Sequence, residues 1–224
     1  MGKLTMRTTF KGIIFDMDGT LLDTLDDVVH SMNKILERHG RPHLGRDFYR
    51  ASIHEGDENF VKKILAVMGN TNGDHARLLG EFREEYEANC DVFTKPYDRV
   101  QDLLDAVREM GLRTAVLSNK DDRMVKELAA KMFPRNGFVE AVGMQDKAHR
   151  KPDPRNALFI ARSLGAHPSE ILLLGDSAVD MKTAAAAGML PAGALWGYGS
   201  AGELRESGAS ILVERPLDLL AYLG

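Results

Sequence analysis

Two carboxylates two residues apart follow the first apolar run of the chain. Residues 12–15 read Gly-Ile-Ile-Phe, and Asp16-Met17-Asp18-Gly19-Thr20 comes directly after them. If the run is a buried strand, both acids lie at its carboxyl end, where α/β sheets gather the groups that meet a ligand. Asp16 could then attack phosphorus to form an acyl phosphate, while Asp18 gives a proton to the leaving group and later takes one from water. Magnesium would be needed to offset the repulsion between Asp16 and a phosphate dianion.

The same residues also fit a tight turn without chemistry. Asp18-Gly19 stands between two apolar runs, since Leu21-Leu22 follows, and this pattern is typical of a β-hairpin. If the acids are catalytic, other strands should also end in residues that suit phosphate, which a hairpin does not require. The rest of the chain therefore distinguishes the two interpretations.

Three later segments carry polar residues that suit a bound phosphate. Ser118-Asn119 follows an apolar run and offers a hydroxyl and backbone N–H groups to phosphate oxygens. Lys151-Pro152 holds a lysine in a proline-rich loop, where it can neutralise both a nucleophile and a transferring phosphoryl group. Gly175-Asp176-Ser177 ends another apolar run, and Asp180 lies one helical turn further on. Carboxylates without histidines are the ligands that suit Mg²⁺.

Each of these segments also has an ordinary interpretation. Ser118 or Asn119 could cap a helix that begins near Asp121, and Lys151 could be an exposed lysine. Asp176-Ser177 could form a turn before a helix. All of these would have to hold at once, at strand ends one βα unit apart, so we favour a shared site.

The spacing of apolar residues divides the chain into a helical part and an alternating part. Helices are predicted at 25–36, 47–53, 58–68 and 74–89, and no buried strand is predicted between 23 and 92. From Pro96 onward, short apolar strands alternate with amphipathic helices, which indicates a parallel sheet buried on both faces. The later strands are expected at 112–117, 138–142, 171–174, 190–195 and 210–213, and the later helices at 100–107, 124–130, 157–164, 179–187 and from 217.

Composition excludes several classes of protein. The chain has 224 residues, 44% of them hydrophobic, and a formal net charge of −4 without a basic block, so nucleic acid is not an expected partner. Cys90 is the one cysteine and can form no intramolecular disulfide. No run approaches the ~20 apolar residues of a membrane span, and residues 1–10 lack the apolar core of a signal peptide. We expect a cytoplasmic protein with no membrane partner, either a monomer or a homodimer.

Four segments of the chain resemble, in this order, the four motifs of the haloacid dehalogenase superfamily of phosphatases. They are Asp16-x-Asp18-Gly-Thr, Ser118-Asn119, Lys151-Pro152 and Gly175-Asp176-Ser177-x-x-Asp180. The resemblance spans nearly the whole chain, and the helical insertion resembles the cap of its phosphoglycolate phosphatase and β-phosphoglucomutase branch. It implies an α/β fold with a Rossmann-like parallel sheet core in three layers. That core would comprise residues 1–22 and 96–224, and an inserted α-helical cap domain would comprise residues 23–95.

The resemblance also implies a division of roles within the site. Asp16 would be the nucleophile, Asp18 the general acid and base, and Lys151 a ligand of the transition state. The implied substrate-binding residues are Gly19, Thr20, Ser118, Asn119 and Lys151. The implied ligands of Mg²⁺ are Asp16, Asp18 through its backbone carbonyl, Asp176 and, in or beside the first shell, Asp180. The substrate would be a small phosphorylated metabolite, for which 2-phosphoglycolate is the nearest precedent in the family.

Three other functions stay open at this point. A phosphosugar mutase would use the same phosphoaspartate, although that branch generally has an acid pair where this chain has Gly175-Asp176. Inorganic pyrophosphatase activity is found in close relatives within the superfamily. A catalytically idle binding protein would not need the complete set of Asp16, Asp18 and Lys151 with Asp176.

The insertion departs from the family pattern at one loop. Residues 53–58 read Ile-His-Glu-Gly-Asp-Glu, where a Gly-x-Gly loop is common. Its three acids would favour a neutral or cationic substrate portion, or else form a solvated start of a helix. The connections at 22–23 and 93–95 are the expected hinges of the cap.

Overall fold

The computed structural model describes residues 10–53, 56–69 and 75–223. These residues form two units, of which one is Leu22–Lys95 and the other is the described chain on either side of it. His54 and Glu55 of the acidic loop lie outside the described residues. No helix in the described ranges combines the length and the apolar character that crossing a membrane requires.

The larger unit is built on a six-stranded sheet. Its strands are β1 (Gly12–Phe15), β4 (Arg113–Asp121), β5 (Ala141–Met144), β6 (Ile171–Gly175), β7 (Leu190–Ala194) and β8 (Ile211–Val213). They follow the order β5-β4-β1-β6-β7-β8, and each neighbouring pair is parallel. Two short strands, β2 (Leu22–Asp23) and β3 (Lys95–Pro96), pair separately. The predicted α/β fold with a parallel, Rossmann-like sheet is confirmed.

Helices cover the sheet and supply its apolar layers. Those of the larger unit are α5 (Val100–Glu109), α6 (Asp122–Met132), α7 (Arg155–Ser163), α8 (Ala178–Ala187) and α9 (Ala201–Glu206). On one face, Ile14 of β1 and Leu173 of β6 pack with Ile160 of α7 and Ala184 of α8. All four residues of β1 are buried, because helices lie against both faces of a strand in the middle of the sheet.

The hairpin interpretation of residues 13–22 is wrong. The neighbours of β1 are β4 and β6, with Ile14 paired in register with Ala115 on one side and Leu173 on the other. Asp18-Gly19 therefore does not join two antiparallel strands. Asp16 instead follows the carboxyl end of a central parallel strand.

Several predicted boundaries need correction. β4 runs to Asp121 rather than ending at Leu117, and the side chain of Asp121 accepts hydrogen bonds from the backbone N–H groups of Arg123 and Met124. Asp121 is thus the cap of α6, so the interpretation of Ser118 or Asn119 as helix caps is wrong. The helix predicted from Leu217 is a 3₁₀ helix over Pro216–Tyr222.

Helix α9 was not predicted from the apolar pattern, because six residues are too few to show a period. Its start is nonetheless encoded locally. The hydroxyl of Ser200 accepts a hydrogen bond from the backbone N–H of Glu203 at 3.2 Å, which satisfies one of the free donors of the first turn.

The smaller unit contains α1 (Leu25–Arg38), α2 (Arg46–Arg50), α3 (Asp57–Val67) and α4 (His75–Asn89). Glu85 of α4 is buried and accepts hydrogen bonds from Lys34 at 2.6 Å and Arg38 at 2.5 Å, both on α1. The ammonium and guanidinium hold the pKa of this carboxyl below its usual range despite its desolvation. This charged contact fixes how α1 and α4 meet.

A second buried carboxylate ties the two ends of the smaller unit together. Asp27, in the first turn of α1, has no exposed surface, and it accepts the backbone N–H of Phe93 at 2.9 Å and of Thr94 at 2.8 Å. The expected hinge at 93–95 thus has two of its N–H groups bonded to a side chain that lies close to the expected hinge at 22–23.

Replacing Asp27 should therefore destabilise the smaller unit. We expect Asp27→Ala to lower the free energy of unfolding by about 2 kcal/mol or more, because two backbone donors lose their acceptor. The matched control is Asp26→Ala in the same helical turn, whose carboxylate is 51% exposed and pairs with Arg46 at the surface. Its cost should stay below about 1 kcal/mol. Urea unfolding of both variants measures the difference, and equal losses would contradict the assignment of Asp27 as a tie.

Candidate active site

The carboxyl ends of three neighbouring strands bring the predicted site residues together. Because β4, β1 and β6 are adjacent in the sheet, Ser118, Asp16 and Asp176 follow one another along the same edge. Lys151 reaches this edge from the loop before α7, and Asp180 reaches it from the first turn of α8. The spacing in the sequence thus becomes one cluster of side chains in the larger unit.

Lys151 is the cation at the centre of this cluster. Its ammonium lies 2.8 Å from Asp16 Oδ1, 2.6 Å from Asp180 Oδ1 and 3.1 Å from the carbonyl oxygen of Leu117. Three acceptors match the three N–H groups of an ammonium, so the buried charge is fully hydrogen-bonded. The interpretation of Lys151 as an exposed loop lysine is wrong.

Asn119 positions Lys151 through its backbone. The side-chain oxygen of Asn119 accepts the N–H of Lys151 at 2.8 Å, and the side-chain amide donates to the carbonyl oxygen of Lys151 at 3.2 Å. This pair of bonds fixes the loop to the end of β4. Phosphate binding by Asn119 stays a prediction, to which the structure adds this positioning role.

Asp180 is engaged through both carboxylate oxygens. Oδ1 accepts from Lys151, and Oδ2 accepts from the hydroxyl of Ser177 at 2.5 Å and from its backbone N–H at 3.1 Å. Ser177 and Asp180 form a capping box at the start of α8. Ser177 is thus an ordinary helix cap, while Asp180 combines capping with an ion pair to Lys151.

Asp176 is held by two donors from different loops. Thr20 Oγ1 donates to Oδ1 at 3.3 Å, and the backbone N–H of Tyr198 donates to Oδ2 at 2.7 Å. Burial, and then the charge of Asp180, raise the pKa of Asp176 to about 7, although the two hydrogen bonds and Lys151 oppose the shift. The carboxylate is thus oriented but costly to keep charged.

Asp18 differs from the other acids in its exposure. Its side chain is 24% exposed, and it accepts from Ser118 Oγ at 3.3 Å and pairs with Lys120 at 2.9 Å. A group that exchanges protons with a leaving group and with water has to be reachable in this way. Ser118 therefore contacts Asp18 as well as facing the edge of the sheet.

Lys120 is a site residue that the sequence reasoning missed. It lies two residues after Ser118, a spacing that puts two side chains on the same side of an extended chain, and both reach Asp18. Ending β4 at Leu117 hid this relation. Continuing the strand to Asp121 would have placed Lys120 beside Ser118.

The balance of charge indicates a cation site. One carboxylate oxygen from each of Asp16, Asp176 and Asp180 lies within 4.8 Å of the other two, and the ammonium of Lys151 pairs with Asp16 and Asp180. Burial, with the charges of Asp180 and Asp176, raises the pKa of Asp16 well above its usual value, and Lys151 only partly opposes this. When all three acids are ionised, two negative charges stay unbalanced.

A divalent cation fits this site. Oxygen ligands from carboxylates suit Mg²⁺, which usually takes one or two of them and keeps several waters. Asp16 and Asp176 are the carboxylates best placed to serve. Asp180 Oδ1 accepts from the Lys151 ammonium and its Oδ2 from two donors of Ser177, whereas each oxygen of Asp176 accepts from one uncharged donor. Burial lowers the pKa of Lys151, but the charges of Asp16 and Asp180 outweigh burial and hold it above its usual value, so Lys151 is the cation that balances one of the three acids.

Comparison with known proteins gives matches along nearly the whole chain. The model of the haloacid dehalogenase-like hydrolases matches residues 10–188. A phosphoglycolate phosphatase of Pseudomonas putida is 31% identical over 215 residues, 94% of this chain and 78% of the relative. An N-acetylmuramic acid 6-phosphate phosphatase of Pseudomonas aeruginosa is 29% identical over 97% of this chain and 96% of the relative.

A solved structure agrees with these sequence matches. The crystal structure of a protein from Lactobacillus delbrueckii subsp. bulgaricus aligns with a TM-score of 0.86 and 27% identity. The alignment covers 96% of this chain and 98% of that chain, so both units have counterparts in it.

The raised pKa of Asp176 predicts a dependence of stability on pH in protein freed of metal. Between its usual pKa of 3.8 and about 7, the folded state keeps a proton that the unfolded state has released. Rising pH therefore favours unfolding, by up to about 1.4 kcal/mol per pH unit. Relative to Asp176→Asn, the wild type should lose about 2 kcal/mol between pH 5 and pH 7.

Urea unfolding in the presence of EDTA, at several pH values, measures this difference. The control is Asp153→Asn, because Arg155 holds the pKa of exposed Asp153 at about 2. Asp153 is therefore ionised throughout this range, and the stability of Asp153→Asn should change with pH as that of the wild type does. A wild type whose stability runs parallel to that of Asp176→Asn would show that Asp176 titrates normally.

Proposed function

Since this chain belongs to the haloacid dehalogenase-like hydrolases, we propose that it hydrolyses a small phosphate monoester through a phosphoaspartate formed on Asp16. The family resemblance predicted from the four segments is confirmed, and the relatives identify the chain as a phosphoric monoester hydrolase. The observation that carries the mechanism is the 2.8 Å ion pair between Asp16 and buried Lys151 at the end of the central strand.

In the first step, the carboxylate of Asp16 attacks phosphorus and the bond from phosphorus to the leaving oxygen breaks. Lys151 holds Oδ1 of Asp16, which leaves Oδ2 as the attacking oxygen. Asp18 gives its proton to the leaving oxygen, so the alcohol departs neutral. To contact the transferring phosphoryl group, Ser118 would exchange its hydrogen bond to Asp18 for one to a phosphate oxygen, and Lys151 would supply its positive charge beside Asp16.

In the second step, water attacks the phosphorus of the acyl phosphate. Asp18, now ionised, takes the proton of that water, and the bond from phosphorus to Asp16 breaks to release phosphate. Mg²⁺ held by Asp16, Asp176 and the backbone carbonyl of Asp18 would supply the positive charge that lets an ionised Asp16 approach a phosphate dianion. Lys151 and Asp180 keep the regenerated carboxylate of Asp16 in place.

Position 175 argues against the mutase alternative. A side chain there would place its Cβ 2.3 Å from Cγ of Asp180, a distance that real Cβ atoms do not reach. The acid pair that the mutase branch generally carries at this point would therefore displace Asp180 from Lys151. Gly175 supports transfer of the phosphoryl group to water.

The nucleophile assignment is tested by one isosteric change. We expect Asp16→Asn to lower kcat for p-nitrophenyl phosphate with Mg²⁺ by at least about 10³-fold, because an amide cannot form the acyl phosphate. The fold should be kept, since the Asn oxygen can still accept from Lys151. The control is Asp153→Asn, a change in the loop beside Lys151 that should keep near wild-type activity. Substantial turnover by Asp16→Asn would remove Asp16 as nucleophile.

The substrate is tested with three phosphate esters. Two relatives of nearly equal identity act, by name, on phosphoglycolate and on N-acetylmuramic acid 6-phosphate, so both compounds are assayed. We expect 2-phosphoglycolate to give the highest kcat/KM for phosphate release. With β-glucose 1-phosphate, released phosphate should exceed isomerised sugar phosphate, and dominant isomerisation would favour the mutase instead.

A further inference from the structure

The segment Trp196–Gly199, here named the 196–199 loop, follows β7 and contacts Asp176 through its last three residues. A Cβ on Gly197 would lie 2.3 Å from Cβ of Asp176 and 2.3 Å from the carbonyl oxygen of Gly19. A Cβ on Gly199 would lie 2.2 Å from the carbonyl oxygen of Asp176. Neither glycine is among those with positive φ, so both are required for space and not for backbone conformation.

Gly19 closes the opposite side of the same carboxylate. A Cβ on Gly19 would lie 2.2 Å from Oδ2 of Asp176, the oxygen that also accepts the N–H of Tyr198. The side chain of Asp176 is therefore enclosed between two backbone segments that touch it directly. Rotation of this carboxylate would require one of the two segments to move.

Hydrogen bonds link the two enclosing segments to each other. The indole N–H of Trp196 donates to the carbonyl oxygen of Thr20 at 2.9 Å, and the hydroxyl of Thr20 donates to Oδ1 of Asp176 at 3.3 Å. With Tyr198 on Oδ2, each oxygen of Asp176 has one donor fixed by the loop, directly or through Thr20. A loop that merely closed the chain would not need to converge on one carboxylate.

We propose that the 196–199 loop is a positioning element that presets the carboxylate of Asp176 for a divalent cation. The inference rests on the proposed function, because it takes Asp176 as a cation ligand. Trp196, Gly197 and Tyr198 act in it as positioning residues, through Asp176 and Thr20. A carboxylate held in one orientation loses little freedom when it binds, and partners behind metal ligands typically change metal affinity by 10–100-fold.

Trp196 is the only tryptophan of the chain, so tryptophan fluorescence reports on the 196–199 loop. Full-length protein freed of metal is titrated with Mg²⁺ alone, following tryptophan emission and, independently, heat by calorimetry. We expect a saturable change in emission with the same Kd as the calorimetric titration. The Kd for Mg²⁺ should rise at least about 10-fold in Gly197→Ala, because the added methyl pushes the loop away from Asp176.

The matched control is Gly202→Ala, five residues further on in α9. Its added Cβ would have no neighbour closer than 4.0 Å, so we expect a Kd within about twofold of wild type. Should Gly197→Ala fail to fold, Trp196→Phe keeps an aromatic ring and removes only the donor to Thr20, and its calorimetric Kd should rise about 3–10-fold. The rise in Tm caused by Mg²⁺ should also become smaller in these variants. A variant that had lost stability but kept its affinity for Mg²⁺ would show the same rise as the wild type.

The outcomes separate this inference from the proposed function. Weaker Mg²⁺ binding in the loop variants, with unchanged binding in Gly202→Ala, supports the positioning role. If the loop variants bind Mg²⁺ as tightly as the wild type, the inference is overturned, and the phosphatase proposal stands on the Asp16→Asn result. If the wild type binds no Mg²⁺ at millimolar concentration, both the role of Mg²⁺ in the proposed function and this inference are overturned.

Discussion

The structure depends on keeping three buried carboxylates together around one ammonium. Asp16, Asp176 and Asp180 have almost no exposed surface, and Lys151 bridges two of them. Each charge would be strongly unfavourable if buried alone, so every group of the cluster has to be hydrogen-bonded or balanced by charge. The surrounding backbone can be understood as the means by which these bonds are made.

The parallel sheet is the frame that makes this concentration of charge feasible. A strand buried on both faces ends at an edge where side chains from neighbouring strands converge, and the order β4-β1-β6 puts Asp16 in the middle. The remaining donors come from loops, which can approach closely because glycine stands where they touch, as at Gly175 beside Asp180. Strands thus set the positions of the acids, and loops supply the donors that neutralise and orient them.

Much of this arrangement could be predicted from the sequence, because strand ends are encoded by short apolar runs. The strands β1, β4 and β6, and the acids that follow β1 and β6, could be read from those runs, whereas their order in the sheet could not. The pairing of Asn119 with the backbone of Lys151 could not, since it depends on where a loop without periodicity returns. The hydrogen bonds of Asp27 could not be predicted either, because its two donors lie 66 and 67 residues away in the chain.

The two units are stabilised by separate sets of buried charges. The smaller unit is fixed by its own buried contacts, those of Glu85 with Lys34 and Arg38 and those of Asp27 with its two backbone donors. None of the candidate site residues takes part in them, since every one lies in the larger unit. Exposed residues of the smaller unit can therefore vary without disturbing either set of buried charges.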